Sequence, residues 1–131
     1  MELEGEARMK DDINSEDESL ILDMTVFNTL KNLFSDTFSG AVESHTNSAL
    51  ENIRLIEEAL KNNKSQEIER AAHSLKGASG QFGAMNLSFL SEQMEMYGKE
   101  GELEKAKNSF IKLKEAQKKA ENAMLAAVSQ T

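Results

Sequence analysis

The sequence predicts an all-α protein, an antiparallel up-down four-helix bundle with a short extra N-terminal helix. Three observations carry this. The 131 residues contain no Pro, which turn-rich β folds normally use and which a helical protein with short connections can do without. Apolar residues recur at spacings of three and four through four long stretches, and no segment alternates convincingly at period two. Brief runs rich in Asn, Ser and Gly separate those stretches, and connections that short force neighbouring helices to run antiparallel.

The elements follow in order. Asp23 is placed to cap a first short helix carrying Met24, Phe27, Leu30, Leu33 and Phe34, and Ser35-Asp36 breaks it. The stretch over about 37–61 puts Phe38, Val42, His45, Ala49, Ile53, Ile56 and Leu60 on one face of a long amphipathic helix. Asn62-Asn63-Lys64-Ser65 is a turn, with Ser65 expected to cap a third helix that runs to about Gln81. Ile68, Ala71, Ala72, Leu75, Ser79 and Phe82 form its inner face, and Gly83 ends it. A fourth helix is expected from about Asn86 to Tyr97 with Leu87, Leu90 and Met94 inward, then a loop, Gly98-Lys99-Glu100-Gly101. The last helix, about 102–128, carries Leu103, Ala106, Phe110, Leu113, Gln117, Ala120, Met124 and Ala127 in a near-heptad stripe.

Composition removes whole classes of function. With no Cys there are no disulfides, thiolate metal sites or cysteine nucleophiles, which fits a reducing compartment. The net charge of -8 argues against nucleic acid or an anionic membrane as partner. No apolar run approaches the roughly 20 residues of a membrane span, and the opening Met1-Glu2-Leu3-Glu4-Gly5-Glu6 is no signal peptide. Eight acids against Arg8 and Lys10 fall within residues 1–19, so most of the charge is concentrated there. Residues 1–18 are therefore read as an acidic, disordered lead-in with too little apolar surface to offset its ordering entropy, and 19–131 as the folded domain.

The chemistry concentrates in Ala71–Ala84. With Leu75 at the centre of the buried face, a helix turning about 100° per residue puts His73 about 160° away, towards solvent. Gly77 and Gly80 fall within about 40° of His73 on that outer face, and Lys76 and Arg70 flank it about 60° round. Each interior glycine costs about 1 kcal/mol relative to Ala, and on an exposed face neither gains anything from packing. Their effect is to strip the surface bare beside one imidazole. An exposed imidazole is mostly neutral at pH 7 and is a competent nucleophile. Lys76 is suited to hold an anion delivered to its ring nitrogen, and Gln81 to add an amide hydrogen bond.

The run His73-Ser74-Leu75-Lys76-Gly77-Ala78-Ser79, followed by Gln81, Gly83 and Ala84, closely resembles the signature of histidine-containing phosphotransfer (HPt) domains. The segment from Leu87 to Lys99 is similar to the family's following helix, and the resemblance covers roughly residues 20–128. It implies that His73 is the phosphoacceptor, taking a phosphoryl group from a receiver-domain aspartyl-phosphate and passing it to the aspartate of another response regulator. Lys76 and Gln81 would support the phosphoryl group, and Gly77, Gly80 and Arg70 would give access and docking. The chain has no Gly-x-x-x-x-Gly-Lys-Ser/Thr run, so it is expected to carry phosphate without ATP-dependent kinase activity of its own. No cofactor is expected in this chain; the divalent metal belongs to the partner receiver.

The expected partners are receiver domains of response regulators or of a hybrid sensor kinase. The setting is cytoplasmic, as a free-standing monomer or as the C-terminal domain of a membrane-bound hybrid kinase. The alternative is a non-phosphorylated helical adaptor that binds a receiver-like partner. The second histidine, His45, falls near the buried stripe of its helix and reads as structural. Pairing Glu69 with His73 at a metal is disfavoured by a chain with two His and no Cys.

Overall fold

The computed structural model describes residues 18–129, and every regular element among them is helical. They are α1 (Glu18–Ile21), α2 (Met24–Phe34), a 3-10 turn (Ser35–Thr37), α3 (Phe38–Lys61), α4 (Ser65–Gln81), α5 (Met85–Glu100) and α6 (Leu103–Ser129). The acidic lead-in lies outside the described residues, apart from Glu18, which opens α1. Helices α3 to α6 form the expected bundle. Each packs on its sequence neighbour, and α3 against α6 closes the ring.

The local signals operate as the sequence suggests at most boundaries. The Asp23 carboxylate accepts from the backbone N–H of Thr25 at 3.0 Å and of Val26 at 3.4 Å, satisfying orphan donors at the start of α2. Ser35, at a positive φ of 49°, ends α2, and its N–H donates to the Lys31 carbonyl. Phe27 is fully buried and meets Phe38 edge-on with ring centroids 4.9 Å apart, which fastens α2 to α3.

Two boundaries differ from expectation. Ser65 is the first residue of α4 and not its cap; Lys64 stands at the cap position and supplies no side-chain bond. The turn is tight enough to start the helix early: Asn63 takes φ 54°, and the Lys64 N–H donates to the Ala59 carbonyl at 2.9 Å. Gly98, Lys99 and Glu100 do not form a loop but complete the last turn of α5. Gly98 is buried there against the first turn of α4, where a Cβ would lie 2.7 Å from the Glu69 nitrogen and 2.8 Å from the Ser65 carbonyl oxygen. Only Gly101, at φ 70°, serves as the left-handed cap.

Gly83 is the turn that orients the site helix. At φ 84° it reverses the chain between α4 and α5, and its carbonyl accepts the Asp23 N–H at 2.7 Å. A Cβ there would fall 2.8 Å from the Asp23 carbonyl oxygen, so the start of α2 rests directly on the α4–α5 turn.

His45 is structural. It is 8% exposed and stacks on Phe82 with ring centroids 4.3 Å apart, and burial pushes its imidazole down from 6.5 to about 4. The folded chain therefore binds this proton less readily than the unfolded chain. The stability contribution is full above the ordinary value of 6.5 and is lost as pH falls towards 4. Between pH 7 and pH 5 this amounts to about 2 kcal/mol. Urea denaturation at the two pH values should show that loss in the wild type, and His45→Leu should be flatter by about that amount.

Candidate functional site

Helix α4 turns its apolar side, Ile68, Ala71, Ala72, Leu75 and Ser79, into the bundle. That places His73 outside, with its side chain 66% exposed. Lys76 sits one turn on, 31% exposed, and Gly77 opens the surface beside both: a Cβ built there meets nothing within 4 Å. The surface beside the ring is open at this position, and no packing contact among the described residues requires Gly77.

The partner that the sequence did not reveal comes from α5. The Glu95 side chain, 19% exposed, places Oε2 2.7 Å from His73 Nδ1 and Oε1 2.7 Å from Lys76 Nζ. One carboxylate thus holds both groups. The Lys76 ammonium first, and the His73 bond after it, hold the Glu95 carboxyl below its ordinary range, although partial burial opposes them. Glu95 in turn raises Lys76, with a smaller contribution from the charge of Glu92. An ionised carboxylate only accepts hydrogen bonds, so His73 Nδ1 must carry the proton and donate. In the neutral ring the lone pair is then on Nε2, the other ring nitrogen.

The register of the α4–α5 hairpin explains why these residues meet. Gly98 lies against Glu69, Glu95 against His73, and the Ser88 hydroxyl donates to the Lys76 carbonyl at 3.1 Å. Each turn up α4 meets a turn down α5. A reversal centred at Gly83-Ala84 places residue 95 opposite residue 73, so the turn position is the feature of the sequence from which Glu95 could be found.

The other expected residues are distributed differently. Gly80 does not share the open face of Gly77: a Cβ there would touch the Ser88 hydroxyl at 3.4 Å, which aims it at the α4–α5 seam. Gln81 is the exposed last residue of α4, about 12 Å along the axis from His73, apart from the group around Glu95. Arg70 is exposed and lines a groove of about 340 Å³ between α3 and α4, together with Asn52, Leu55, Glu67, Ala71 and Ser74.

This geometry offers a solvent-facing nucleophilic nitrogen, one adjacent cation and a bare approach. A sequence model of the Hpt domain matches residues 42–130, which takes in His73, Lys76 and Glu95. The chain belongs to the Hpt domain family. Its role is accordingly phosphotransfer in two-component signalling, and Hpt domains are phosphocarrier modules. The fold agrees. Histidine-containing phosphotransfer protein B (HptB) from Pseudomonas aeruginosa PAO1, known from its crystal structure, superposes with a TM-score of 0.80. The match covers 84% of this Hpt chain and 96% of that one at 22% identity. No curated protein matches the sequence. Among the described residues no helix is long and apolar enough to cross a membrane.

Proposed function

We propose that this Hpt domain is a phosphorelay intermediate in which His73 Nε2 accepts a phosphoryl group from the aspartyl-phosphate of one receiver domain and returns it to the aspartate of another. The observation that carries the reading is the exposed His73 ring, fixed through Nδ1 by Glu95 so that its lone pair faces outward on Nε2. Phosphoryl transfer needs an in-line nucleophile and neutralisation of the charge spread over the equatorial oxygens. His73 supplies the first. Lys76 supplies one cation for the second, moving from Glu95 to the incoming group on its flexible stem. The receiver brings its own acidic pocket and divalent metal, which this chain has no need to bind.

Docking of the receiver requires the ring to enter that pocket, and Gly77 leaves the clearance for it. Arg70, with the groove it lines beside Ser74, and Gln81 at the end of α4 extend the contact to either side of His73. The partners are receiver domains of response regulators or of a hybrid sensor kinase, met in the cytoplasm by a monomer.

The test is transfer from a panel of labelled, phosphorylated receiver domains to the purified chain. Acid-labile label on the wild type supports the carrier. No label from any receiver, with the receivers still binding, would instead identify an adaptor. A second expectation concerns access. Gly77→Leu should slow transfer at least about tenfold while leaving the bundle as stable as the wild type or more so, because a helix-interior glycine costs about 1 kcal/mol. Stopped transfer assays and thermal melts of the same preparation read the two effects separately. Wild-type transfer by Gly77→Leu would remove the clearance argument.

A further inference from the structure

Glu95 makes a charged bond to the ring nitrogen that does not react, and this bears on how phosphate leaves His73. We propose that Glu95 is a proton-holding positioning residue: it keeps the Nδ1 proton on the phosphorylated ring, so that His73 departs from phosphorus as neutral imidazole. The inference rests on His73 being the phosphoacceptor.

The step balances without any other reagent. On uptake the Nε2 lone pair forms the N–P bond, the acyl O–P bond breaks, and its electron pair stays on the receiver's aspartate. The ring, already protonated on Nδ1, becomes a phosphoimidazolium. On release the N–P electron pair returns to Nε2 and regenerates neutral imidazole with its Nδ1 proton in place. If that proton were lost to water in between, release would have to expel an imidazolate, a far poorer leaving group. A carboxylate 2.7 Å from Nδ1 opposes the loss by stabilising the ring cation.

The surrounding charges favour this assignment. Lys76 is bound to the same carboxylate at 2.7 Å in the unphosphorylated state. When Lys76 turns to the phosphoryl group, the full charge of Glu95 is left to the ring. The dianionic group thus faces the ammonium, and the cationic ring faces the carboxylate. The other charged groups around His73 are Glu69 and Arg70 on its own helix, one turn before it, and Glu92 on α5, whose charge acts on Lys76. Among the described residues, Glu95 alone is bonded to the ring.

Glu95→Gln separates charge from hydrogen bonding, since the amide oxygen still accepts from Nδ1. The full chain, labelled with ¹⁵N in its histidines, is phosphorylated with phosphoramidate and titrated while the ring nitrogens are followed by NMR. Transfer to a receiver is timed at pH 5.5 and pH 8. In Glu95→Gln the phosphorylated ring should give up its Nδ1 proton at least about one pH unit lower than in the wild type, a tenfold change in proton binding. Transfer should be about tenfold slower than wild type at pH 8, and the two should converge at pH 5.5, where solvent supplies the proton. Glu95→Asp, which keeps the charge but draws it back from Nδ1 by one methylene, should titrate between the two. That variant decides the matter alone if Glu95→Gln does not fold. Equal ring titration in the wild type and in the variant that folds overturns the proposal and leaves His73 as phosphoacceptor untouched. Absence of a ³¹P–¹⁵N bond on wild-type His73 overturns both.

Discussion

His73→Gln is expected to end phosphoryl uptake altogether, by more than about a thousandfold, while the folded bundle and its binding to receivers persist. The amide nitrogen of Gln carries no available lone pair and forms no N–P bond of useful stability, so the nucleophile is removed and not merely weakened. The side chain it replaces is 66% exposed and contributes nothing to the core, and surface changes of this kind usually move stability within about 0.5 kcal/mol. Gln can still bond to Glu95, and Lys76 still neutralises that carboxylate, so no buried charge is stranded. The measurements are label transfer from a phosphorylated receiver and calorimetric binding of the same receiver. Loss of transfer with binding retained is the expected pair of results. Transfer that survives would move the phosphoacceptor away from His73. His45, the one other histidine, is 8% exposed and stacked on Phe82, which leaves it unable to take over.

The fold was legible because its causes are local. Periodicity fixed the inner faces of α3 to α6, Asp23 starts α2 through its own carboxylate, and Gly101 ends α5 through its left-handed backbone. The outward direction of His73 followed from the same arithmetic. Glu95 was not legible in that way, because its role is set by the meeting of two helices and not by the face of one. In isolation it is one acid among several on α5. It becomes a ligand for His73 and Lys76 only when the turn at Gly83 sets the register. Gly98 was misread for a related reason. A glycine near a helix end followed by another glycine looks like a loop, whereas here the first is a contact point between helices and only the second is a cap. Gly80 shows the limit of placing residues by angle alone: it lies near His73 by rotation, but the neighbouring helix covers it.

The second large effect concerns that contact point. Gly98→Ala should destabilise the bundle by about 2–3 kcal/mol, and Gly77→Ala, the same chemical change one helix away, should stabilise it by up to about 1 kcal/mol. Both glycines are inside helices, so propensity alone predicts a gain in each. Space decides the sign. A methyl at position 77 meets nothing within 4 Å, whereas at position 98 it would lie 2.7 Å from the Glu69 nitrogen, 2.8 Å from the Ser65 carbonyl oxygen and 3.1 Å from the Glu69 Cα. These are backbone atoms of α4, which no side-chain rotation can move aside, so the two helices must separate. In thermal melts the difference should appear as a fall of roughly 10 °C for Gly98→Ala and a small rise for Gly77→Ala. The separation also carries a cost for function, because Gly98 lies one turn from Glu95, and Glu69 one turn from His73. Moving α5 outward there lengthens the 2.7 Å bond between Glu95 and His73. Gly98→Ala should therefore weaken the fixing of Nδ1 as well as the fold, visible as a change in the His73 ring nitrogen shifts at temperatures well below the melt. Equal stability of the two alanine variants would show that α4 and α5 do not approach this closely, and the placement of Glu95 against His73 would fall with it.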